Sequence, residues 1–223
     1  MDGTRLQQIV NKGYAIAAKQ VGFPFQHYRP ATIASPLDVL NRQADIVAAF
    51  PASVGQGFVF EKMVDHSTRY YSAMIDASLI QPGDFFVHDV QGIYQVLNVQ
   101  PVAAPLAVRC FRTIDITRPA GSSAEGLDTY QGSLPETELP ILSDWPTSMH
   151  DAGKSFSKRG SGGETKLPDS VGAGKFEAYL WAPSGTMIRS SDVVTCDLGL
   201  RYIVETAELS EVGWKLRIMQ ETV

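Results

Sequence analysis

Hydrophobic and polar positions follow two different periods along this chain. In residues 4–21 apolar side chains recur every three or four positions, which predicts an amphipathic helix that Thr4 caps and Gly22 ends. The stretch SPLDVLNRQADIVAAF predicts a second helix, with Ser35 as its N-cap and Pro36 in its first turn. Between the two, FPFQHYRPATIA is rich in aromatic residues and proline, so we expect it to be extended.

From residue 57 to 118, and again from 174 to 223, the period changes to two. Short segments rich in Val, Ile, Phe and Tyr follow one another, such as GFVFEKM, RYYSAMID, DFFVHD, IYQVLNVQ and LAVRCFRTIDITR in the first range. The second range holds KFEAYLWAP, TMIR, DVVTCD, RYIVETAEL and GWKLRIMQ. We therefore predict a mainly β fold of the α+β class, with a helical and extended segment in 1–56 and two small antiparallel β-barrels or sandwiches.

Residues 119–173 break the β pattern with many Gly, Pro, Ser and Thr residues. So long a stretch without a periodic pattern is unusual inside a compact domain, and it predicts an irregular linker or arm between the two modules. It contains one apolar segment, LPILSDWP, which we expect to pack onto a neighbouring subunit. The interface candidates in this segment are Leu139, Ile141, Leu142 and Trp145.

The two β regions resemble each other. Residues 71–112 align with residues 179–220 at a constant offset of 108, and 7 of the 42 aligned positions are identical. Chance alone gives roughly two or three identities. The identical pairs include Asp84 with Asp192, Asp89 with Asp197, and Tyr94 with Tyr202.

These aspartates have two interpretations. A pair of carboxylates can form an acid/base couple or a metal site, which requires a pocket and shifted pKa values. Asp is also a turn former, because its side chain bonds its own backbone. We prefer the second interpretation and expect the aspartates to mark a β-module that is used twice.

Composition and charge narrow the class of partner. The chain has 223 residues, of which 44% are hydrophobic, and its net charge of −5 argues against nucleic acid as the main partner. We find neither an apolar run long enough to cross a membrane nor a signal peptide. Cys110 and Cys196 lie in apolar strand-like contexts, which favours two buried thiols and leaves a disulfide open.

Signatures of catalysis are missing from the sequence. The four histidines have no metal-ligand spacing, a G-x-S-x-G motif is not found, and DAGKSF lacks the first glycine of a phosphate-binding loop. We therefore expect no enzymatic activity, no metal and no cofactor. A glycan-degrading enzyme remains the alternative, with Glu136, Glu138 and Asp144 as its candidate carboxylates.

The segment QPGDFFVHDVQGIYQVLNVQP, followed by the strand LAVRCFR, resembles small β-modules in virion proteins of tailed bacteriophages. Together with YRPATIASPLDVLN, YYSAMIDASLIQPGDF, LAVRCFRTIDITRP and DLGLRYIVETAELSEVGWKLRIMQ, it resembles uncharacterised structural proteins of phages and prophages. The resemblance implies that the chain is part of a virion, and it implies no catalytic or binding activity.

In that setting we expect a structural component of the virion at the head–tail junction (a head–tail connector), neck or tail. It would be an assembly adaptor that acts through oligomeric ring contacts. Its partners would be portal, neck, tail or fibre proteins and further copies of itself, without direct recognition of nucleic acid or membrane. It would reside in the virion after assembly in the host cytoplasm.

The alternative within the same setting is a tail or baseplate binding module that anchors a fibre or contacts a receptor or glycan. Exposed aromatic residues would be the contacts of such a module. The candidates are Trp145, Trp181 and Trp214. For Trp181 and Trp214, which lie in alternating strands, core packing is the preferred interpretation, so Trp145 is the better interface candidate.

Overall fold

A computed structural model describes residues 3–51, 70–119, 138–152 and 174–221. In these ranges the chain forms one α-helix, α1 (Gly3–Val21), and twelve strands. The predicted N-terminal helix is thus confirmed. Gly22 ends it as expected, since its amide donates to the carbonyl of Ala18 at 2.7 Å.

The first six strands form a curled antiparallel sheet, which we call the half-barrel. Its strand order is β2-β1-β4-β5-β6-β3. The outer strands β2 and β3 meet just beyond their ends, where the backbones of Ala49 and Met74 exchange hydrogen bonds of 3.1 and 2.8 Å. The strands are β1 (Phe23–Tyr28), β2 (Ile46–Ala48), β3 (Tyr71–Ser72), β4 (Phe85–His88), β5 (Gly92–Asn98) and β6 (Leu106–Cys110).

The last six strands close into an antiparallel barrel, which we call the barrel. Around its circumference the order is β8-β7-β10-β11-β12-β9, and β9 pairs with β8 to close it. The strands are β7 (Arg112–Pro119), β8 (Glu138–Asp151), β9 (Lys175–Leu180), β10 (Val193–Cys196), β11 (Arg201–Ser210) and β12 (Gly213–Gln220).

The two sheets have the same topology. Adding six to each strand number of the half-barrel order gives the order of the barrel. The mainly β class and the two related β-modules are therefore confirmed. The sequence offset of 108 is the offset between equivalent strands, since β4 and β5 correspond to β10 and β11.

The second predicted helix is wrong. In its place the chain forms a single 3₁₀ turn (Val39–Asn41) and the strand β2. The side chain of the buried Asn41 donates to the carbonyls of Ser35 and Pro36 at 3.3 and 3.2 Å. Those carbonyls would otherwise accept the first hydrogen bonds of a helix, so local side-chain bonds replace the helix here.

The prediction of an irregular arm is wrong for its central part. Residues 138–151 form β8, a 14-residue strand that pairs with β7 on one side and β9 on the other. Register shifts on either side of Ile116 bend the β7–β8 ladder, and such irregularities let the ladder accommodate Pro140 and Pro146. Residues 120–137 and 153–173 of the predicted arm, and the predicted strand GFVFEKM, lie outside the described residues.

The predicted module boundaries also change. The segment LAVRCFRTIDITR is two strands, β6 and β7, and only Phe111 separates them. The half-barrel takes in β1 and β2 from the segment that we assigned to 1–56, and the barrel begins at Arg112 rather than at 174.

Two hydrophobic clusters form the core. One fills the half-barrel with Phe25, Phe86, Tyr94 and their neighbours. The other fills the barrel and continues across to the outer face of the half-barrel, where Phe85 and Leu97 are fully buried. Because successive strand residues point to opposite faces, β4 and β5 bury both of their faces and hold the two sheets together.

A buried amide fixes the seam between the two sheets. The side chain of Gln95, in β5, donates to the carbonyl of Trp181 at 2.8 Å and accepts from its amide at 2.9 Å. The indole nitrogen of Trp145 donates to the same carbonyl at 3.0 Å. Satisfied polar groups of this kind set the register of two packed surfaces, because any shift would leave them buried and unpaired.

Candidate interaction site

The aspartates that the sequence repeats are each held by an arginine. In the half-barrel, the guanidinium of Arg29 donates two parallel hydrogen bonds of 2.9 and 2.8 Å to the carboxylate of Asp84. We call this arrangement an Asp–Arg clamp. His27 Nε2 lies 2.9 Å from the same carboxylate, and the Gln81 amide donates to it at 2.8 Å. Burial alone would raise the pKa of Asp84, but the hydrogen bonds from Arg29, His27 and Gln81 outweigh it and lower that pKa.

The barrel contains the same arrangement. Arg118 donates hydrogen bonds of 2.8 and 2.9 Å to the carboxylate of Asp192. Arg118 also donates to the carbonyl of Met187 at 2.7 Å, as Arg29 does to the carbonyl of Leu79 at 3.1 Å. Met187 and Leu79 are separated by the repeat offset of 108, so the backbone around the two aspartates repeats as well.

These clamps give the repeated aspartates a structural role. Asp84 and Asp192 are almost fully buried, and their oxygens are occupied by a guanidinium and a backbone amide. Buried carboxylates need such pairing to remain charged. Sequence reasoning missed the two arginines, although a shared Arg-Pro-Ala at 29–31 and 118–120 carried the signal.

The interface candidates from the sequence divide into two groups. Leu142 and Trp145 are completely buried in the core, and Ile141 packs against it. They therefore stabilise the barrel, and the expectation that Leu142 and Trp145 contact a neighbour is wrong. Leu139 is 61% exposed and stays a candidate.

The tryptophans are not exposed contacts either. Trp214 lies in the core of the barrel and Trp181 packs against that core at the seam. With Trp145 also buried, none of the three presents an open aromatic face to solvent. A binding module would have to use other residues.

Two of the three candidate carboxylates of a glycan-degrading enzyme, Glu138 and Asp144, lie in the described residues and accept hydrogen bonds from other side chains. Glu138 accepts hydrogen bonds of 2.6 Å from both Arg201 and Thr117 inside the barrel wall. The side chain of Asp144 accepts from the hydroxyl of Ser35 at 3.0 Å. Glu136 lies outside the described residues.

A polar cluster lies on β8 and β9. The hydroxyl of Ser148 is 2.8 Å from His150 Nε2, and the hydroxyl of Tyr179 donates to Glu177 at 2.7 Å. Serine and histidine at this distance can form part of a nucleophilic site. Here Ser148 is almost fully buried, and the ring of Phe111 packs edge-on against His150.

An apolar cavity of about 300 Å³ opens at one end of the half-barrel. The rings of Phe50 and Tyr94 stack in it with centroids 4.3 Å apart, and Phe25 meets both edge-on. The ring of His88 packs against that of Phe25, with centroids 5.3 Å apart. The lining residues are Val21, Phe23, Phe25, Ala49, Phe50, Pro51, Met74, Gln91 and Tyr94.

The cavity has the character of a binding site for an apolar group. Its volume is at the lower end of the range of small-molecule sites, and its walls are mostly apolar, with four aromatic residues among the nine that line it. Val21 and Phe23 at its rim are largely exposed, so the apolar surface continues to the outside of the molecule. An aliphatic or aromatic side chain of a partner would fit such a surface.

Both cysteines are free and buried, which resolves the open disulfide. Burial raises the pKa of the Cys110 thiol. Over the described ranges, no group of three or more His, Cys, Asp or Glu side chains is placed to hold a metal ion. None of the helical segments described is long and apolar enough to span a membrane.

Comparisons with known proteins give no match for this chain, either among family models, among curated proteins or among solved structures.

Proposed function

We propose that this chain is a structural component of a tailed-phage virion, at the head–tail junction, neck or tail. It acts there as an assembly adaptor that forms an oligomeric ring and contacts portal, neck, tail or fibre proteins. Its place would be the mature particle, after assembly in the host cytoplasm, and its role would be non-catalytic.

The observation that carries this proposal is the duplicated module. Two sheets of the same topology, each with its own buried Asp–Arg clamp, pack into one body through a shared core. Such a body offers neighbours two related surfaces in a fixed relation to each other. Adaptors in rings need this property, because heterologous contacts close only when successive subunits keep the same geometry.

The sequence resemblance supports the same proposal independently. The segments that carry it correspond in part to β4–β5, which follows the buried Asp84, and to β11–β12 of the barrel. The exposed apolar side chains on α1 and at the rim of the cavity add surface for contacts with other proteins.

Mass spectrometry of purified virions tests this proposal. We expect peptides of the chain in particles of the phage that encodes it, in several copies per virion and resistant to a high-salt wash. Particles that lack the chain, prepared from lysates in which it is abundant, would rule the proposal out.

The apolar cavity of the half-barrel favours a second candidate function in a virion, a tail or baseplate binding module that anchors a fibre. The cavity would take an apolar side chain of the partner, and Phe23 at its rim would contact that side chain. Phe23→Ser should then weaken capture of the recombinant fibre protein encoded beside the chain. Phe111→Ser changes a comparably exposed ring outside the cavity and is the matched control. Equal losses for the two variants would exclude a role for the cavity.

A further inference from the structure

Helix α1 has two apolar faces, and the half-barrel covers only one of them. The helix packs against β2 and the 3₁₀ turn Ala77–Leu79, and Ala18 is its buried residue. At about 100° per residue, Ile9 and Ile16 lie roughly 180° and 200° away from Ala18. They are 55% and 53% exposed, so an aliphatic stripe faces solvent on the outer side of the helix.

A row of positive charge runs beside this stripe. Arg5, Lys12 and Lys19 are spaced seven residues apart, which places them along one side of the helix. All three are exposed, and α1 contains no acidic residue. None of them forms an ion pair with another described residue, although Lys19, the one nearest the half-barrel, lines a groove with Asp45 and Asp76. We call Ile9, Ile16 and these three basic residues the outer face of α1.

The charge of the outer face is opposite to that of the remaining chain. The whole chain carries −5 and α1 carries +3, so the rest of the molecule carries −8. An anionic membrane would attract the helix but repel this remainder. The chemistry that fits is therefore a protein surface with carboxylates and an exposed aliphatic group.

The chain itself carries such a surface on the hairpin of β11 and β12. Strand β10 pairs with β11 only at residues 201–203, so the rest of β11 continues past its neighbour. This projecting part contains Glu205, Glu208 and Leu209, and the turn that follows contains Glu211. Leu209 is 63% exposed. We call residues 205–211 the acidic hairpin.

The carboxylates of the acidic hairpin are largely available. Glu208 and Glu211 are exposed and form no ion pair with another residue of the described ranges. Glu205 forms one with Lys175 at 2.7 Å, and both of those side chains are partly in solvent. Negative charge on this hairpin is thus only partly compensated within the molecule.

The two surfaces have similar lengths. From Arg5 to Lys19 the helix rises about 21 Å. From Glu205 to Ser210 the strand extends about 17 Å. Glu208 and Leu209 point to opposite faces of β11, so a helix that lies along the edge of β11 beyond its pairing with β10 can contact both side chains.

We propose that the outer face of α1 binds the acidic hairpin of a second copy of this chain. The helix belongs to the half-barrel and the hairpin to the barrel, so each copy keeps one of each surface for a different neighbour. This contact is heterologous, and its repetition gives a closed ring or an open filament. The inference deepens the proposed function and rests on it for ring closure, whereas the contact itself follows from the surfaces.

Sedimentation velocity of the full-length chain at low and high salt tests the contact. We expect concentration-dependent self-association that weakens as salt screens the charges. Lys12→Glu with Lys19→Glu should weaken association about tenfold, as should Glu208→Lys with Glu211→Lys. Mixing the two double variants should restore it, because each supplies the charge that the other lost.

Arg189→Glu is the matched control, since it reverses an exposed basic residue on the barrel and should leave association unchanged. Circular dichroism checks that each variant is folded. A monomeric wild-type chain, a loss no larger than that of the control, or no rescue on mixing would overturn the contact. Binding to phosphatidylserine vesicles through Lys12 and Lys19 would also overturn it.

Failure of this inference differs from failure of the proposed function. If the chain is found in virions but does not self-associate, the proposed contact is contradicted and the proposed function stands. If the chain self-associates through these surfaces but is missing from virions, the contact stands and the proposed function is contradicted.

Discussion

Replacing Trp145 by alanine tests whether β8 is an integral part of the core. The indole is fully buried, meets the ring of Phe85 edge-on with centroids 5.7 Å apart, and donates to the carbonyl of Trp181 at 3.0 Å. Truncation of a buried tryptophan costs about 3–5 kcal/mol. We therefore expect the free energy of unfolding to fall by about 4 kcal/mol, a large part of the roughly 5–15 kcal/mol of a typical domain.

Urea denaturation followed by far-UV circular dichroism measures this loss, with the slope of the transition unchanged. Trp145→Phe keeps an aromatic ring and removes the hydrogen bond, so it should cost only about 1–2 kcal/mol. Leu139→Ala, at an exposed position of the same strand, should stay within about 0.5 kcal/mol. If Trp145→Ala costs no more than Leu139→Ala, β8 is not part of the core and our reasoning is refuted.

Four further predictions concern the repeated modules. The lowered pKa of Asp84 means that its stabilisation is present above the unfolded value of 3.8 and is lost as the pH falls through the folded pKa. The urea midpoint of Asp84→Asn should therefore fall less than that of the wild type as the pH is lowered below about 4. Gly83→Ala should destabilise by about 2–4 kcal/mol in urea, because φ is +94° and the new Cβ would lie 2.2 Å from the ring of Trp181. At the equivalent position Ser191 has φ of 73°, so Ser191→Gly should stabilise by about 1 kcal/mol. The thiol of Cys110, buried and with a raised pKa, should react with a thiol reagent only as fast as the protein unfolds.

Each of these predictions has a distinct contradicting result. If the urea midpoint of Asp84→Asn falls with pH as steeply as that of the wild type, the Asp84 carboxylate is not responsible for the loss of stability in acid. A tolerated Gly83→Ala would contradict the close approach at the seam, and a destabilising Ser191→Gly would contradict the backbone argument. Labelling of Cys110 at the rate of a free thiol in the folded protein would contradict its burial.

Sequence reasoning found the features that repeat or that have a clear period. The helix in 4–21 and the strands of DFFVHD, IYQVLNVQ and RYIVETAEL follow from apolar spacing, which local structure preserves. The offset of 108 identified the duplicated module, because paired strands keep their inward positions even where few residues are identical. The Asp–Arg clamps had a signal in the shared Arg-Pro-Ala, but the sequence does not indicate which charges meet.

What the sequence could not give depends on tertiary contacts. Strand β8 contains Pro140 and Pro146 and a residue, Asp144, with positive φ, so its local pattern is that of a loop. It forms a strand because β7 and β9 offer it partners on both sides. The reverse holds for residues 35–47, where helix signals were overridden by the hydrogen bonds of Asn41.

The single residue between β6 and β7 has a mechanical consequence. Phe111 alone connects a strand of the half-barrel to a strand of the barrel, and Gln95 ties the two sheets together again at the seam. A one-residue connection leaves no length for a hinge, so a torque applied to one sheet passes to the other without bending. Within the described residues, the half-barrel and the barrel therefore form one rigid unit.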